Sequence, residues 1–434
     1  MTFYKRWRLG VGLLAALMVA GGCGTRTPGS PDAAAGADSK AAESEASALT
    51  ATDTVATRPG DARALGGLAI VLDLQWQSLG RQTQALGKGL TALCASPTAG
   101  RLDDARREWQ LTRRAWMEAQ LHEIGPMPRQ RLKAQMGWWP ANPERIEALI
   151  NGDQPLTPAF VAGQGSTVKG LYTLEHLLWP ADGDDAALLQ GLDASTGTAA
   201  GRRCLFAAAV AEAMALSWTQ ANAVWTGPRA AEAPDLAATA PSPSPLASPA
   251  SASPASASGS FTPPLQHFAS SQAAINALVN RMVFVVQELD GMLAKPLGRR
   301  TGGTPQPEAA QGTSSQSTVA TIADGLCGIK AVWIGDRSAH CTEPDTADHD
   351  TPFPALGDLV RARSPETADH IDGTLAAAIV AVQAIPEPFT RTLADDPARL
   401  DAAFQALKAL ERSMATELVG ALGINLTFNA NDGD

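Results

Sequence analysis

The sequence predicts an all-α protein: two packed, four-helix-bundle-like lobes interrupted by long polar inserts. Three observations carry that expectation. Ala and Leu are abundant while β-branched and aromatic residues are sparse, a bias toward helix over sheet. Apolar residues recur at three- and four-residue spacing in one stretch after another. A chain of 434 residues is long enough for two lobes with separate cores. The net charge of −10 argues against nucleic acid as a partner, because an acidic chain gains nothing from counterion release on a phosphate backbone. Ten Trp against two Tyr suggest large anchors buried between helices.

The first residues read as a targeting segment. Lys5, Arg6 and Arg8 precede a short apolar run over 9–20, too short for a comfortable membrane span. Small residues, Ala20-Gly21-Gly22, then lead into Cys23. This is similar to a bacterial lipoprotein signal over 1–22, cleaved before Cys23, whose thiol is then lipidated. Gly24, rather than Asp, resembles lipoproteins sent to the outer membrane. Acyl chains would tether the mature chain to the membrane on the periplasmic side. The alternative is an ordinary secretory signal with a coincidental cysteine. Residues 23–60 hold almost no large apolar side chain and read as a disordered tether.

The first bundle is expected over 61–227. Residues 65–93 space Leu68, Leu72, Trp76, Leu79, Leu86 and Leu90 as one long helix, with Gly87 and Gly89 as loosening points. Residues 102–124 form the next, with Trp109 and Trp116 seven apart, and Gly125-Pro126 ends it. A short helix follows over 144–150, and a strong one over 202–225. Residues 182–185 (Asp-Gly-Asp-Asp) lack the spaced ligands of a calcium loop and read as a solvated turn.

Residues 228–263 alternate Pro, Ser and Ala; they cannot be core and read as a disordered linker. The second bundle is expected over 264–434. Its helices read as 265–293, 320–332, 355–364, 367–384 and 396–422, with Pro386 and Pro388 breaking the chain. A polar insert at 296–319, rich in Gly, Ser, Gln and Thr, is expected to be a second disordered loop.

Beyond Cys23, Cys94, Cys204, Cys327 and Cys341 form an even set, suggesting disulfides in an oxidising compartment. Pairing Cys94 with Cys204 and Cys327 with Cys341 respects the two lobes, although buried free thiols stay possible and spacing alone does not fix connectivity.

The whole chain is organised around residues 168–180, V-K-G-L-Y-T-L-E-H-L-L-W-P. Wound as a helix, Leu171, Leu174, Leu177 and Leu178 share one side, and Tyr172, Glu175, His176 and Trp179 share the other. Gly170 permits a sharp turn or a close backbone approach just before, and Pro180 stops the helix. Glu175, His176 and Tyr172 are therefore candidate ligands for a metal or a small molecule. Glu118 and His122, four apart on the Trp-rich helix, either join them or lie on a solvated helix face, which their spacing alone favours. His267, His340, His349 and His370 read as exposed loop residues.

The same stretch resembles the imelysin-like family, whose members carry G-x-H-x-x-E here. Gly170 and Glu175 match; Tyr172 stands at the histidine. Further likenesses are A-W…G-P around Trp116, W-P…R-I-E after Trp139, Gly357-Asp358-Leu359-Val360, 385–389 (I-P-E-P-F) and the tail 417–434. The resemblance runs from about Asp61 to Asp434, broken by the two inserts. It implies an envelope protein linked to iron uptake, with envelope iron-uptake proteins as partners. It also implies metal-ligand roles for the motif's His and Glu, with iron or another metal as cofactor, and a peptidase activity reported within the family.

The residues bear on those implications. No H-E-x-x-H occurs, and catalytic zinc needs about three protein ligands and an open position. A phenol ligates zinc poorly at neutral pH, because its proton has a pKa of about 10. Ferric iron tolerates phenolate better. Two readings are equally open: Glu175 holds a metal or ligand, or it is a buried polar pin between the lobes. Hydrolysis with Glu175 as base is the weaker third, and a partner-docking lipoprotein using the 228–263 arm is a further alternative.

Overall fold

The computed structural model describes residues 59–180, 183–193, 198–227, 265–336 and 353–426. The targeting segment, Cys23, the tether up to residue 58, the 228–263 linker, Cys341, His340 and His349 lie outside the described residues. Among the described residues there are helices and turns and no strand, so the all-α expectation holds.

Three long helices organise the first half: α1 (Pro59–Ala95), α2 (Ala99–Glu118) and α8 (Thr198–Thr226). Five short ones lie between α2 and α8: α3 (Leu132–Met136), α4 (Pro143–Asn151), α5 (Pro158–Ala162), α6 (Leu171–Leu178) and α7 (Asp185–Leu192). Helix α1 runs unbroken through Gly87 and Gly89 because its Leu stripe is buried along the whole length: Leu65, Leu68, Leu72, Leu79, Leu86, Leu90 and Leu93 are inside. Helix α2 starts at a cap: the Thr98 hydroxyl accepts from the Arg101 N–H. It ends sooner than the period suggests, tightening into a 3-10 turn over Ala119–His122. The short α3, α5 and α7 have too few turns to register a period, and each packs on α8.

The second half contains α9 (Ser271–Ala294), α10 (Thr318–Ile334), α11 (Leu356–Arg363), α12 (Pro365–Gln383), α13 (Phe389–Asp395), α14 (Pro397–Ser413) and α15 (Val419–Leu422), with one π turn at Met414–Leu418. Helix α9 packs on α10 and α14, and α12 packs on the same two, while in the first half α1 packs on both α2 and α8. The two sets meet along α2 and α10. Gly328 makes that crossing tight: a Cβ there would stand 2.8 Å from the Glu118 Cα. The Gln75 side-chain amide donates to the Gly328 carbonyl at 3.2 Å from the far side.

One expectation changes. The polar insert at 296–319 is not a disordered loop but a folded strap between α9 and α10. It is ordered because its Ser, Thr and Gln side chains find buried partners instead of water. Cys94 and Cys204 are bonded, with Cα atoms 5.5 Å apart, and tie the end of α1 to α8. Closing so long a loop contributes on the order of 4–5 kcal/mol in the chain-entropy model. Cys327, in α10, is disulfide-bonded as well.

Candidate functional site

Gly170 sets the start of α6. Its φ is +82°, and a Cβ would fall 2.6 Å from the Met136 carbonyl oxygen, so a side chain fits neither the torsion nor the space. The Trp109 indole N–H holds the next residue, donating to the Leu171 carbonyl at 2.8 Å. Arg106 closes the other end, donating to the Leu178 carbonyl from Nε (3.0 Å) and Nη2 (2.8 Å) while it pairs with Asp185.

Between these anchors α6 is buried on both faces. Leu171, Leu174, Leu177 and Leu178 enter the first-half core. Tyr172 and Glu175 point to the strap. The Tyr172 hydroxyl donates to Gln311 Oε1 at 3.0 Å. Glu175 Oε1 accepts from the Ser315 N–H at 3.0 Å and from the Ser315 hydroxyl at 2.7 Å. Burial pushes both groups toward their protonated forms. It raises the Tyr172 phenol well above its ordinary range, with the Glu175 charge adding to the effect. It also raises the Glu175 carboxyl, while the two Ser315 hydrogen bonds and the Arg113 charge oppose that rise.

Beside this contact the α2–α10 seam holds a buried ion pair. Arg113 Nη2 lies 2.7 Å from Asp324 Oδ2, and its Nη1 donates to the Thr321 hydroxyl at 2.9 Å. Thr321 in turn donates to the Ser317 carbonyl at 2.6 Å, and Ser317 meets Ser315 at 2.8 Å between hydroxyl oxygens. A continuous run of hydrogen bonds therefore joins Glu175 to Asp324.

The other expected site residues do not converge on Glu175. His176 is turned 100° away along α6. Its Nε2 lies 3.3 Å from Glu147, which Arg203 also grips. Glu118 and His122 are not on a solvated face. Glu118 reaches the seam, where burial first and the Asp324 charge second push its carboxyl up to about 7. His122 is sealed in an aromatic cluster, 4.7 Å from the Trp76 ring and 6.0 Å from Trp116. Its Nδ1 meets the Ala119 carbonyl, so that nitrogen is the donor, and burial pushes the ring down to about 3. The imidazole is neutral at physiological pH. His370 is exposed but lies on α12 and not in a loop, where it pairs with Glu417, and His267 is half-buried on a 3-10 turn with its Nε2 3.1 Å from the Trp225 carbonyl.

This donor set does not fit a metal ion. Tyr172 keeps its proton and uses it on Gln311, Glu175 already accepts two hydrogen bonds on one oxygen, and His176 faces elsewhere. Among the described residues no group of three or more His, Cys, Asp or Glu side chains stands where it could hold one.

Sequence reasoning missed Gln311, Ser315, Ser317, Arg113 and Asp324. Two left a signal. Asp324 sits in α10, where almost every other residue is apolar, and Arg113 lies between Trp109 and Trp116 on a face that has to be buried. A charge in such a place needs a partner.

The geometry is that of a helical protein whose motif acid is held inside a seam between two sets of helices. The chain belongs to the imelysin family: the family model, described as Imelysin, matches residues 75–414. Its fold is similar to that of a protein described as an iron-regulated protein A precursor from Parabacteroides distasonis. The TM-score is 0.60 at 16% identity, over 85% of this chain and 96% of that one. It is also similar to an imelysin-like protein from Psychrobacter arcticum, with a TM-score of 0.58 at 16% identity, over 85% of this chain and 97% of that one. At that identity the likeness speaks for the fold alone. No curated protein matches the chain.

Proposed function

We propose that this chain is a lipid-anchored, cell-envelope member of the imelysin family that works by binding, in the context of iron acquisition, and does not cleave peptides. The observation that carries the reading is the use of Glu175. The motif acid accepts two hydrogen bonds from Ser315, 140 residues away in sequence, and Tyr172 stands at the motif histidine with its hydroxyl on Gln311. A hydrolytic metal needs about three ligands and a general base must be free to turn toward a bound water, whereas Glu175 Oε1 is committed to Ser315. Glu175 is instead a polar pin between the two sets of helices. The envelope address rests on the signal ahead of Cys23, and the iron context on the sequence resemblance described above and on the iron-regulated name of one structural relative.

Three measurements test this. Glu175→Ala is expected to lower the thermal midpoint by several degrees, as loss of a packing contact should. The purified mature protein is expected to leave unfolded casein and a peptide library intact with and without added Zn²⁺ or Fe²⁺. Chelator-sensitive cleavage that Glu175→Gln abolishes would overturn the reading. In the host, loss of the chain should slow growth only when iron is scarce, and Glu175→Gln should restore that growth.

A further inference from the structure

We propose that the strap segment 311–318, together with Arg113, is a carboxylate-binding cradle of which Glu175 is the resident occupant, so that the site takes small carboxylates as a class. The inference rests on the reading of Glu175 as a pin and adds what the pin is inserted into.

The cradle is braced without help from Glu175. The Ser317 N–H donates to the Gly312 carbonyl at 2.8 Å, and the Thr318 hydroxyl donates to the Gln311 carbonyl at 2.5 Å. Just beyond, the Val319 N–H is held by Glu387 at 2.9 Å. A loop tied in this way keeps its shape when its occupant leaves.

Its inner surface is rich in donors. The Ser315 N–H and hydroxyl converge on the same oxygen, Oε1 of Glu175. With the Ser315 proton on that oxygen, the Ser317 hydroxyl donates to Ser315 and strengthens the bond beyond it. Arg113 supplies positive charge from the neighbouring helix and acts on both Glu175 and Tyr172. Arg113 is only 4% exposed, and its Nε–H is a buried donor with no hydrogen-bond partner. Glu175 Oε2 accepts no hydrogen bond from the described residues. An anion is what this set of groups selects, and a planar carboxylate is the anion it already holds.

Occupancy is linked to the seam. A free carboxylate that wins the cradle displaces Glu175 and removes one of the ties between α6 and the strap, leaving Tyr172–Gln311 as the other.

The test is chemical rescue. Glu175→Ala in the full mature chain removes the occupant and leaves room for a molecule of acetate size. Its thermal midpoint is compared in sodium acetate, formate, phosphate and chloride at equal ionic strength. Acetate or formate is expected to recover at least half of the degrees lost, with no change for the wild type. Phosphate, larger and tetrahedral, is expected to act no better than chloride. In Glu175→Ala/Ser315→Ala the acetate effect should disappear. Equal midpoints in acetate and chloride, or an undiminished acetate effect without Ser315, would overturn the cradle. Rescue by phosphate as strong as by acetate would overturn its preference for carboxylates. If Glu175→Ala proves as stable as the wild type, the pin reading fails, and calorimetric titration of the same variant with acetate then decides the cradle separately. If the variant does not fold in chloride, refolding yield becomes the readout, and a yield that acetate leaves unchanged counts against the proposal.

Discussion

The seam around Arg113 and the aromatic cluster around Trp76 are both fully inside the protein, and both contain residues that sequence spacing singled out. They treat a titratable group in opposite ways. In the seam each charge has a partner from the other half of the chain: Arg113 has Asp324, and Glu175 has Ser315. In the cluster Trp76 packs on Trp218 at 5.8 Å, Trp225 at 5.7 Å and His122, whose ring nitrogens find only the Ala119 carbonyl. The seam keeps its charges by pairing them, although the Arg113 Nε–H has no partner, and the cluster keeps its imidazole by stripping its charge. Burial alone therefore does not tell what a marked residue does; its partners do.

Three substitutions probe that contrast. The largest effect belongs to Asp324→Ala, which leaves the Arg113 guanidinium buried and unpaired. Urea unfolding should show a loss of about 3–5 kcal/mol, the range for breaking a buried pair on one side. A loss below about 1 kcal/mol, the scale of an exposed pair, would mean that water reaches the seam.

Glu118→Gln comes next, through pH. The folded carboxyl is raised from 4.5 to about 7, so the stability tied to its proton is fully present below about 4.5 and is lost as pH rises toward 7. Glutamine carries no such dependence. The variant should gain on the wild type between pH 5 and pH 8, by on the order of 2 kcal/mol at the upper end. Parallel stability curves for the two proteins would place Glu118 in water.

His122→Phe is expected to do least. A ring of similar shape fills the cluster, and stability at pH 8 should change by less than about 1 kcal/mol. Because burial lowers the His122 pKa from 6.5 to about 3, the wild type loses stability as pH falls below 6.5, and the phenylalanine variant should gain on it there. A large loss at pH 8 would mean that the Nδ1–H bond to the Ala119 carbonyl matters more than the fit of the ring.

Much of the fold was legible because helix periods are local. The long α1, α8 and α9 each carry a continuous apolar stripe; their C-terminal ends fall within two residues of the spacing-based reading, while α1 starts six residues before it and α9 six residues after it. The Cys94–Cys204 bond is the pairing that keeps cysteines within each half, a choice that spacing alone does not fix. The motif helix was found with its anchors, Gly170 and Pro180, in place. Its polar face is narrower in the structure than in the spacing: Tyr172, Glu175, His176 and Trp179 fall across one side, yet the 100° step from Glu175 to His176 sends those two to different neighbours. The partners of Glu175 were out of reach for another reason. Ser315 and Gln311 lie in a stretch whose composition matches a solvated loop, and nothing local marks a serine that will be buried against an acid 140 residues earlier. Glu118 and His122 are buried against expectation because spacing four apart fits an exposed face and a buried one equally well.

The bond between Cys94 and Cys204 encloses everything from α2 through α7, the motif helix included. A proteolytic nick anywhere in that span leaves the two pieces on one molecule, so a nicked chain migrates as a single species until a thiol is added. In an oxidising environment a single cut inside that span therefore leaves the protein's mass intact, and the same cut after reduction sets the fragments free.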